Sequence, residues 1–162
     1  MPLTNLPKNC FHYWVLGGIL LAGPVYSPFY TPSLPHASSF TSQAIVTIVW
    51  IFAQISNYKT HMTLRNLRPQ GSKVRKVPFG YGFNWVSCPN YTFEVLGWIC
   101  VTLLTGSLFG KQFHLLNTLA LFFTLTGAVQ MYFWAVKKHQ RYKSEFGASY
   151  PPRRKILIPW IL

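Results

Sequence analysis

Apolar residues in this 162-residue chain collect in four long runs, which polar and proline-containing segments separate. The runs cover roughly residues 11–30, 40–58, 91–110 and 113–136, and their lengths are comparable to the span of about 20 residues that an α-helix needs to cross a bilayer. Pro24 and Pro28 interrupt the first run and predict a kinked or shortened helix there. The pattern therefore predicts an all-α, polytopic bundle of about four transmembrane helices, forming one membrane domain over residues 1–162.

The second run continues into a basic segment and meets no break signal before Pro69. In a helix of that length Asn57, His61, Arg65 and Arg68 recur at i, i+4, i+8 and i+11 and share one face. A polar and basic stripe that leaves a membrane is suited to holding an anionic ligand. The same stripe also suits contact with lipid headgroups, and the pattern alone leaves both interpretations open.

A second candidate site lies where the third run begins. Pro89 is well placed to start a helix, because proline has a fixed φ and no N–H that the first turn would leave unpaired. In that helix Asn90 and Glu94 lie one turn apart on one face, and Tyr91 points about a quarter-turn away. Glu94 is one of only two acidic residues in the chain. A carboxylate at the mouth of a membrane helix is costly unless a partner neutralises it, so it marks a candidate site.

The charge of the chain is strongly one-sided. Lys and Arg number 15 against 2 for Asp and Glu, which gives a formal net charge of +13 at pH 7. The basic residues follow the second run and fill the tail at 137–162, so the positive-inside rule places these segments and both termini in the cytosol. A nucleic-acid-binding domain would instead show a basic patch on a polar background. We therefore expect membrane lipid, and no nucleic acid, as a partner.

The fourth run is followed by a third polar group, with Lys138, His139 and Tyr142 on a helical continuation. The three groups each adjoin an apolar run, so we expect them to meet at one membrane mouth, where the cations could bind phosphates. The sequence has no glycine-rich nucleotide motif of the soluble type and no H-E-x-x-H or G-x-S-x-G motif. Three scattered cysteines without C-x-x-C spacing predict neither a zinc site nor a disulfide framework, and we expect no metal.

Three motifs carry a resemblance to a known family. Leu64–Pro69, Pro89–Glu94 and Tyr150–Pro159 resemble the C-terminal part of the steroid 5α-reductase family, and within it the very-long-chain trans-2-enoyl-CoA reductases. The resemblance covers essentially the whole chain. It implies a multi-pass protein of the endoplasmic reticulum membrane that reduces the trans-2 double bond of long or very-long-chain enoyl-CoA with NADPH. It also implies a role in fatty-acid elongation, with other elongation-cycle enzymes as partners.

The resemblance also implies roles for individual residues. Tyr91 matches the proton donor of the family, and we expect nearby cations to lower its pKa from the usual value of about 10. Asn90 and Glu94 match residues that hold the nicotinamide end of the cofactor. His61 agrees with the enoyl reductases, and Lys138 stands where the steroid enzymes have histidine. The full predicted cofactor-binding set is Asn57, His61, Arg65, Arg68, Asn90, Glu94, Lys138, His139, Tyr142 and Arg154.

Two alternatives to an acyl-CoA reductase stay open at this point. Members of the family carry a further N-terminal half, which these 162 residues do not include. The chain could accordingly be a catalytically inactive membrane remnant that packs against partner helices. A reductase of a sterol-like enone would share the fold and the cofactor.

Overall fold

The computed structural model describes residues 3–26, 40–67, 76–105 and 115–161. Within these ranges the chain is mostly helical, and an isolated parallel bridge between Val86 and Lys155 is their only β-type pairing. The predicted all-α class is confirmed for this part of the chain. The predicted cofactor residue Arg68 and the seven residues that follow it lie outside the described residues.

The first apolar run forms a helix that changes its type along its length. It begins as α1 at Leu6–Cys10, becomes a π-helix over Phe11–Ala22 and ends as α2 at Gly23–Tyr26. Residues five apart share a face in a π-helix, where the hydrogen bonds run from i to i+5. His12 and Gly17 are spaced in this way, and both meet the ring of Phe123, which stacks on the imidazole at 4.2 Å between centroids.

The second apolar run forms one continuous helix, α3, at Phe40–Asn66. The predicted extension beyond the apolar run is therefore confirmed as far as Asn66, three residues before Pro69. Large apolar side chains stand exposed along this helix, among them Ile45, Ile48, Phe52 and Ile55. An exposed apolar surface of this kind suits contact with lipid or with further protein.

Helix α4 covers Pro89–Leu104 and begins at the proline that the sequence indicated. Its polar side chains Asn90, Tyr91 and Glu94 occupy the first two turns, so the continuously apolar part starts only at Val95.

Helix α5 covers Leu115–Phe146, and the predicted continuation of the fourth run into the basic tail is confirmed. Leu116–Ser149 is the one helical stretch among the described residues that is long and apolar enough to cross a membrane, with a mean hydropathy of 1.6 in its apolar window. Its uncharged part ends at Val136, because Lys137 opens the basic segment. The other three transmembrane helices remain predictions.

The chain divides into two compact units. One comprises residues 1–49 and 98–127, and the other comprises residues 50–97 and 128–162. In the first unit a hydrogen bond of 2.8 Å joins the hydroxyls of Thr102 and Thr124, and Thr124 also donates to the carbonyl of Trp98. The second unit contains every described residue of the predicted site.

The turns between α3 and α4 depend on Gly82, which packs closely against Pro89. Replacing Gly82 tests this contact. Gly82 has φ +75°, and a Cβ placed there would lie 2.7 Å from Cβ of Pro89. We expect Gly82→Ala to lower the free energy of unfolding by about 3 kcal/mol, from the left-handed backbone and the clash together. Gly147→Ala is the matched control, since Gly147 has φ +49° and no neighbour within 4 Å. It should cost about 1 kcal/mol. Thermal unfolding in detergent measures both, and equal losses would contradict the proposed contact with Pro89.

Candidate functional site

The site is built around the segment that leads into α4. Its backbone pairs with the C-terminal tail: Ser87 N–H donates to the carbonyl of Lys155 at 2.8 Å, and Cys88 N–H donates to that of Ile156 at 3.2 Å. Lys155 N–H donates in turn to the carbonyl of Trp85 at 3.0 Å. The tail is thus held beside the first residues of α4. Leu157 and Ile156 of the tail pack against Cys88 and Ala135, whereas Ile158, Trp160 and Ile161 stay exposed.

Tyr91 lies half-buried in the first turn of α4. Its ring packs against a small core of Cys88, Ala135 and Leu157. The ammonium of Lys138 sits 5.6 Å from the centre of the ring, within cation–π range. Within the described parts of the chain, the phenolic hydroxyl of Tyr91 has no hydrogen-bond partner.

The pKa of Tyr91 contradicts the expectation that nearby cations lower it. Burial, together with smaller effects of the neighbouring Cys88 and Glu94, raises the pKa of this phenol to about 12. The desolvated ring therefore favours the neutral phenol despite the ammonium of Lys138 beside it. Burial likewise raises the pKa of the Cys88 thiol to about 11, against an opposing effect of Lys138. Both groups are protonated at neutral pH.

Two predicted cofactor residues, Asn57 and Asn90, each have a buried amide oxygen that accepts no hydrogen bond from the described residues. Asn90 is 3% exposed, and neither its Oδ1 nor that of Asn57 on α3 has a hydrogen-bond partner among the described residues. Leaving such an oxygen unpaired in the interior costs about 1–3 kcal/mol. Buried side-chain acceptors without protein partners call for donors from a water or a ligand.

His139 belongs to a buried hydrogen-bonded cluster. Ser87 Oγ lies 2.5 Å from His139 Nδ1 and 2.5 Å from the hydroxyl of Tyr150, and it donates to the carbonyl of Lys155 at 3.0 Å. A serine hydroxyl has one proton and two lone pairs, so after donating to Lys155 it accepts from both His139 Nδ1–H and Tyr150. Burial lowers the pKa of His139, and the charges of Lys143 and Arg154 lower it further. The imidazole is accordingly neutral, with Nε2 as its remaining acceptor.

Arg154 carries a buried guanidinium that pairs with no Asp or Glu side chain among the described residues. Its Nη1 donates to the carbonyl of Pro78 at 3.1 Å, and its charge lies 5.0 Å from the ring centres of both Phe79 and Tyr150. Nε and Nη2 are buried and have no acceptor among the described residues. The ring of Tyr142 packs against that of Tyr150 at 5.8 Å, so Tyr150 connects three of the predicted site residues.

Beside this cluster lies an open cleft of about 860 Å³, here called the basic cleft. Its lining is formed by Asn84, Trp85, His139, Lys143, Pro151, Pro152, Arg153, Arg154, Lys155, Ile156, Pro159, Trp160 and Ile161.

The structure brings together only part of the predicted set. Tyr91 meets Lys138, while His139, Tyr142 and Arg154 meet around Tyr150. His61 and Arg65 stand exposed on α3, and Glu94 lies half-buried one turn beyond Asn90. No sequence pattern singled out Ser87 or Tyr150 as site residues, although Tyr150 opens the Tyr150–Pro159 motif. A buried serine between an apolar residue and a cysteine gives no pattern that would identify its partners.

Comparison with known proteins agrees with this architecture. The family model described as 3-oxo-5-alpha-steroid 4-dehydrogenase matches residues 1–162. The chain belongs to this family. The resemblance to steroid 5α-reductases that the motifs indicated is thereby confirmed, and family membership together with the apolar helix α5 indicates a membrane protein.

Several relatives of the chain are named as enoyl reductases. A candidate enoyl reductase of Schizosaccharomyces pombe is 45% identical over 165 residues, covering 100% of this chain and 50% of that protein. The very-long-chain enoyl-CoA reductase of Dictyostelium discoideum is 44% identical, with 100% and 49% covered. The human trans-2,3-enoyl-CoA reductase-like protein is 32% identical, with 99% and 42% covered. The chain thus spans about half the length of the curated relatives that it matches, and it aligns with oxidoreductases.

The lowered pKa of His139 makes the stability of the fold depend on pH. Near pH 6.5 the unfolded chain takes up a proton at this imidazole, whereas the folded chain resists it, so acidification favours unfolding. We expect the unfolding midpoint to fall as the pH drops below about 6.5. His139→Gln should flatten this part of the profile while leaving the profile above it parallel to that of the wild type. Thermal unfolding of both proteins over a pH series is the measurement, and identical acid limbs would contradict the assignment to His139.

Proposed function

We propose that this chain takes part in the NADPH-dependent reduction of the trans-2 double bond of long or very-long-chain enoyl-CoA. The observation that carries the proposal is Tyr91, a neutral phenol with a cation 5.6 Å from its ring. Beside it in the chain lies the buried amide oxygen of Asn90, which has no hydrogen-bond partner among the described residues. A relative 44% identical to the chain bears the name of this activity. The elongation cycle of the endoplasmic reticulum membrane is the proposed setting.

The residues present fit a nicotinamide nucleotide. The buried Oδ1 atoms of Asn57 and Asn90 need hydrogen-bond donors, and a carboxamide N–H₂ or a ribose hydroxyl would provide them. Glu94, one turn from Asn90, adds a carboxylate to the same helix end. The exposed His61 and Arg65 offer positive charge for phosphates on α3. When bound, the cofactor supplies the hydride that is transferred to the β-carbon of the enoyl thioester.

Tyr91 would complete the reduction by acid catalysis. Its O–H donates a proton to the α-carbon, the position that becomes basic when the β-carbon has accepted hydride. Lys138 stabilises the phenolate that results, because its ammonium lies at the ring. The phenolate then regains its proton from water. The net change is the addition of one hydride and one proton across the double bond.

The excess of cations supports the proposed orientation, in which the Tyr91 side of the protein and both termini face the cytosol. NADPH and enoyl-CoA would enter from that side, and the acyl chain would lie in the membrane. Other enzymes of the elongation cycle are the proposed partners.

A steroid enone is the second candidate substrate, because the matching family model is described by a 3-oxo-5-alpha-steroid activity. The chemistry at Tyr91 would be the same. Parallel assays with a 3-oxo-Δ4 steroid and with a long-chain trans-2-enoyl-CoA separate the two substrates.

Replacement of Tyr91 by phenylalanine tests the proposed acid. We expect Tyr91→Phe to lower enoyl-CoA-dependent NADPH oxidation by at least about 100-fold, since the positioned proton donor is lost. Membranes of cells without their own elongation reductase provide the assay. Tyr132→Phe is the matched control, because Tyr132 packs against the same core of Cys88, Ala135 and Leu157. It should keep its activity within about twofold. Inserted wild-type protein that shows no turnover would favour the inactive remnant.

Asn90→Leu separates cofactor binding from folding. Replacing an unpaired buried amide by an apolar group of similar shape is neutral or stabilising for the protein without ligand. We therefore expect an unchanged or higher unfolding midpoint together with NADPH binding that is about tenfold weaker, because the donor of the ligand loses its acceptor. Fluorescence transfer from tryptophan to bound NADPH reports the affinity. Unchanged affinity would contradict the role of Asn90, and a lower midpoint would indicate a structural role.

A further inference from the structure

The basic cleft has no acidic side chain among its described lining residues. Four cations line it, namely Lys143, Arg153, Arg154 and Lys155, and no Asp or Glu is among its lining residues. Of the two acidic side chains in the whole sequence, Glu145 pairs with Arg141 and Glu94 lies on α4. Arg154 moreover keeps two buried donors without an acceptor. A desolvated cation is costly unless an anion accompanies it, so the cleft calls for an anionic ligand from outside the chain.

The same cleft bears an exposed apolar edge. Trp160 is 82% exposed, Ile161 is 76% exposed and Trp85 is 60% exposed. The two indole rings lie 6.4 Å apart, and Trp160 holds the left-handed backbone conformation at φ +65°, which is unusual for a bulky residue. Indole rings collect at the boundary between hydrocarbon and headgroups, where one part of the ring is apolar and the other is hydrated. This edge therefore suits contact with a bilayer surface.

The position of the cleft on α5 agrees with headgroup depth. The uncharged part of this helix ends at Val136, and the lining residues His139 and Lys143 follow it by three and seven positions. At 1.5 Å per residue they lie about 4.5 and 10 Å further along the axis. The headgroup layer occupies roughly 5–7 Å on each side of the hydrocarbon core. If α5 crosses the bilayer, the cleft opens at the level of the lipid phosphates or just outside it.

We propose that the basic cleft binds the headgroup of an anionic phospholipid from the leaflet that faces this end of α5. The phosphate and the acidic headgroup contact Lys143, Arg153 and Lys155. The buried Arg154 adds a further positive charge to the cleft. Trp160 and Ile161 enter the interface beside the lipid. Exposed apolar side chains next to the cations distinguish this occupant from a soluble phosphate, which would need the charges alone. The proposal requires neither Tyr91 nor Lys138, but the cleft shares His139 and Arg154 with the predicted cofactor-binding set.

The first test compares lipid retention by two charge-matched double variants of the full chain. Phosphatidylcholine nanodiscs with and without phosphatidylserine hold the protein, and mass spectrometry after detergent extraction counts the bound lipid. We expect wild-type protein to retain phosphatidylserine and to unfold at a higher temperature in its presence. Arg153→Gln with Lys155→Gln should weaken retention about 30-fold, because each cation near an anionic surface contributes about fivefold. Lys137→Gln with Arg141→Gln removes the same charge outside the cleft lining, so it should lose only the general surface attraction and retain clearly more phosphatidylserine than the cleft variant.

Several results would overturn the proposal. Equal losses in both double variants would indicate attraction to the whole basic surface. Protection by inorganic phosphate, CoA or NADPH in pure phosphatidylcholine discs, with no effect of phosphatidylserine, would assign the cleft to a soluble phosphate ligand.

A second measurement needs no change of charge. Lipids brominated on their acyl chains near the headgroup should quench the fluorescence of Trp160, which is the part of the signal that Trp160→Phe removes. Absence of quenching would place Trp160 away from the bilayer.

Discussion

Much of the second unit depends on the hydroxyl of Ser87. This buried oxygen joins His139 on α5, Tyr150 after the end of α5 and the carbonyl of Lys155 in the tail. Backbone hydrogen bonds from Ser87 and Cys88 to the tail run beside it. Removing the hydroxyl would leave an imidazole N–H and a phenol without partners in the interior, each at a cost of about 1–3 kcal/mol. The start of α4, which carries Asn90 and Tyr91, is therefore positioned by residues that are distant in sequence.

Charge imbalance imposes a second constraint. With 15 cations and two carboxylates, the chain has few ion pairs available for a buried arginine. Arg154 is stabilised instead by a carbonyl oxygen and by the faces of two aromatic rings. These contacts place a positive charge inside the protein without neutralising it. The charge imbalance thus leaves the cation of Arg154 without an acidic partner among the described residues, next to the basic cleft.

Local signals in the sequence allowed the helices to be predicted. The long-range contacts could not be predicted in this way. Pro89 marks the start of α4 correctly, and the absence of a break signal before Pro69 and after Val136 predicts the extensions of α3 and α5. The motifs were specific enough to identify the family. The pairing of Ser87 with Lys155 joins residues 68 positions apart, and no periodicity in the sequence encodes it. The π-helix over Phe11–Ala22 was also unforeseen, since its apolar composition suits an ordinary α-helix equally well.

The error about Tyr91 has a physical origin and a chemical consequence. The expectation of a lowered pKa for Tyr91 considered only the nearby cations. Burial against Cys88 and Leu157 outweighs the ammonium of Lys138. For the proposed acid this direction is favourable. A phenol with a pKa of about 12 holds its proton at every physiological pH, so every molecule of the protein is in the donating form. After hydride addition to the β-carbon, the α-carbon is far more basic than a phenolate. Proton transfer from Tyr91 to the α-carbon is therefore favourable. In the proposed mechanism, desolvation thus keeps the proton on Tyr91. Lys138 contributes only when negative charge develops on the ring oxygen.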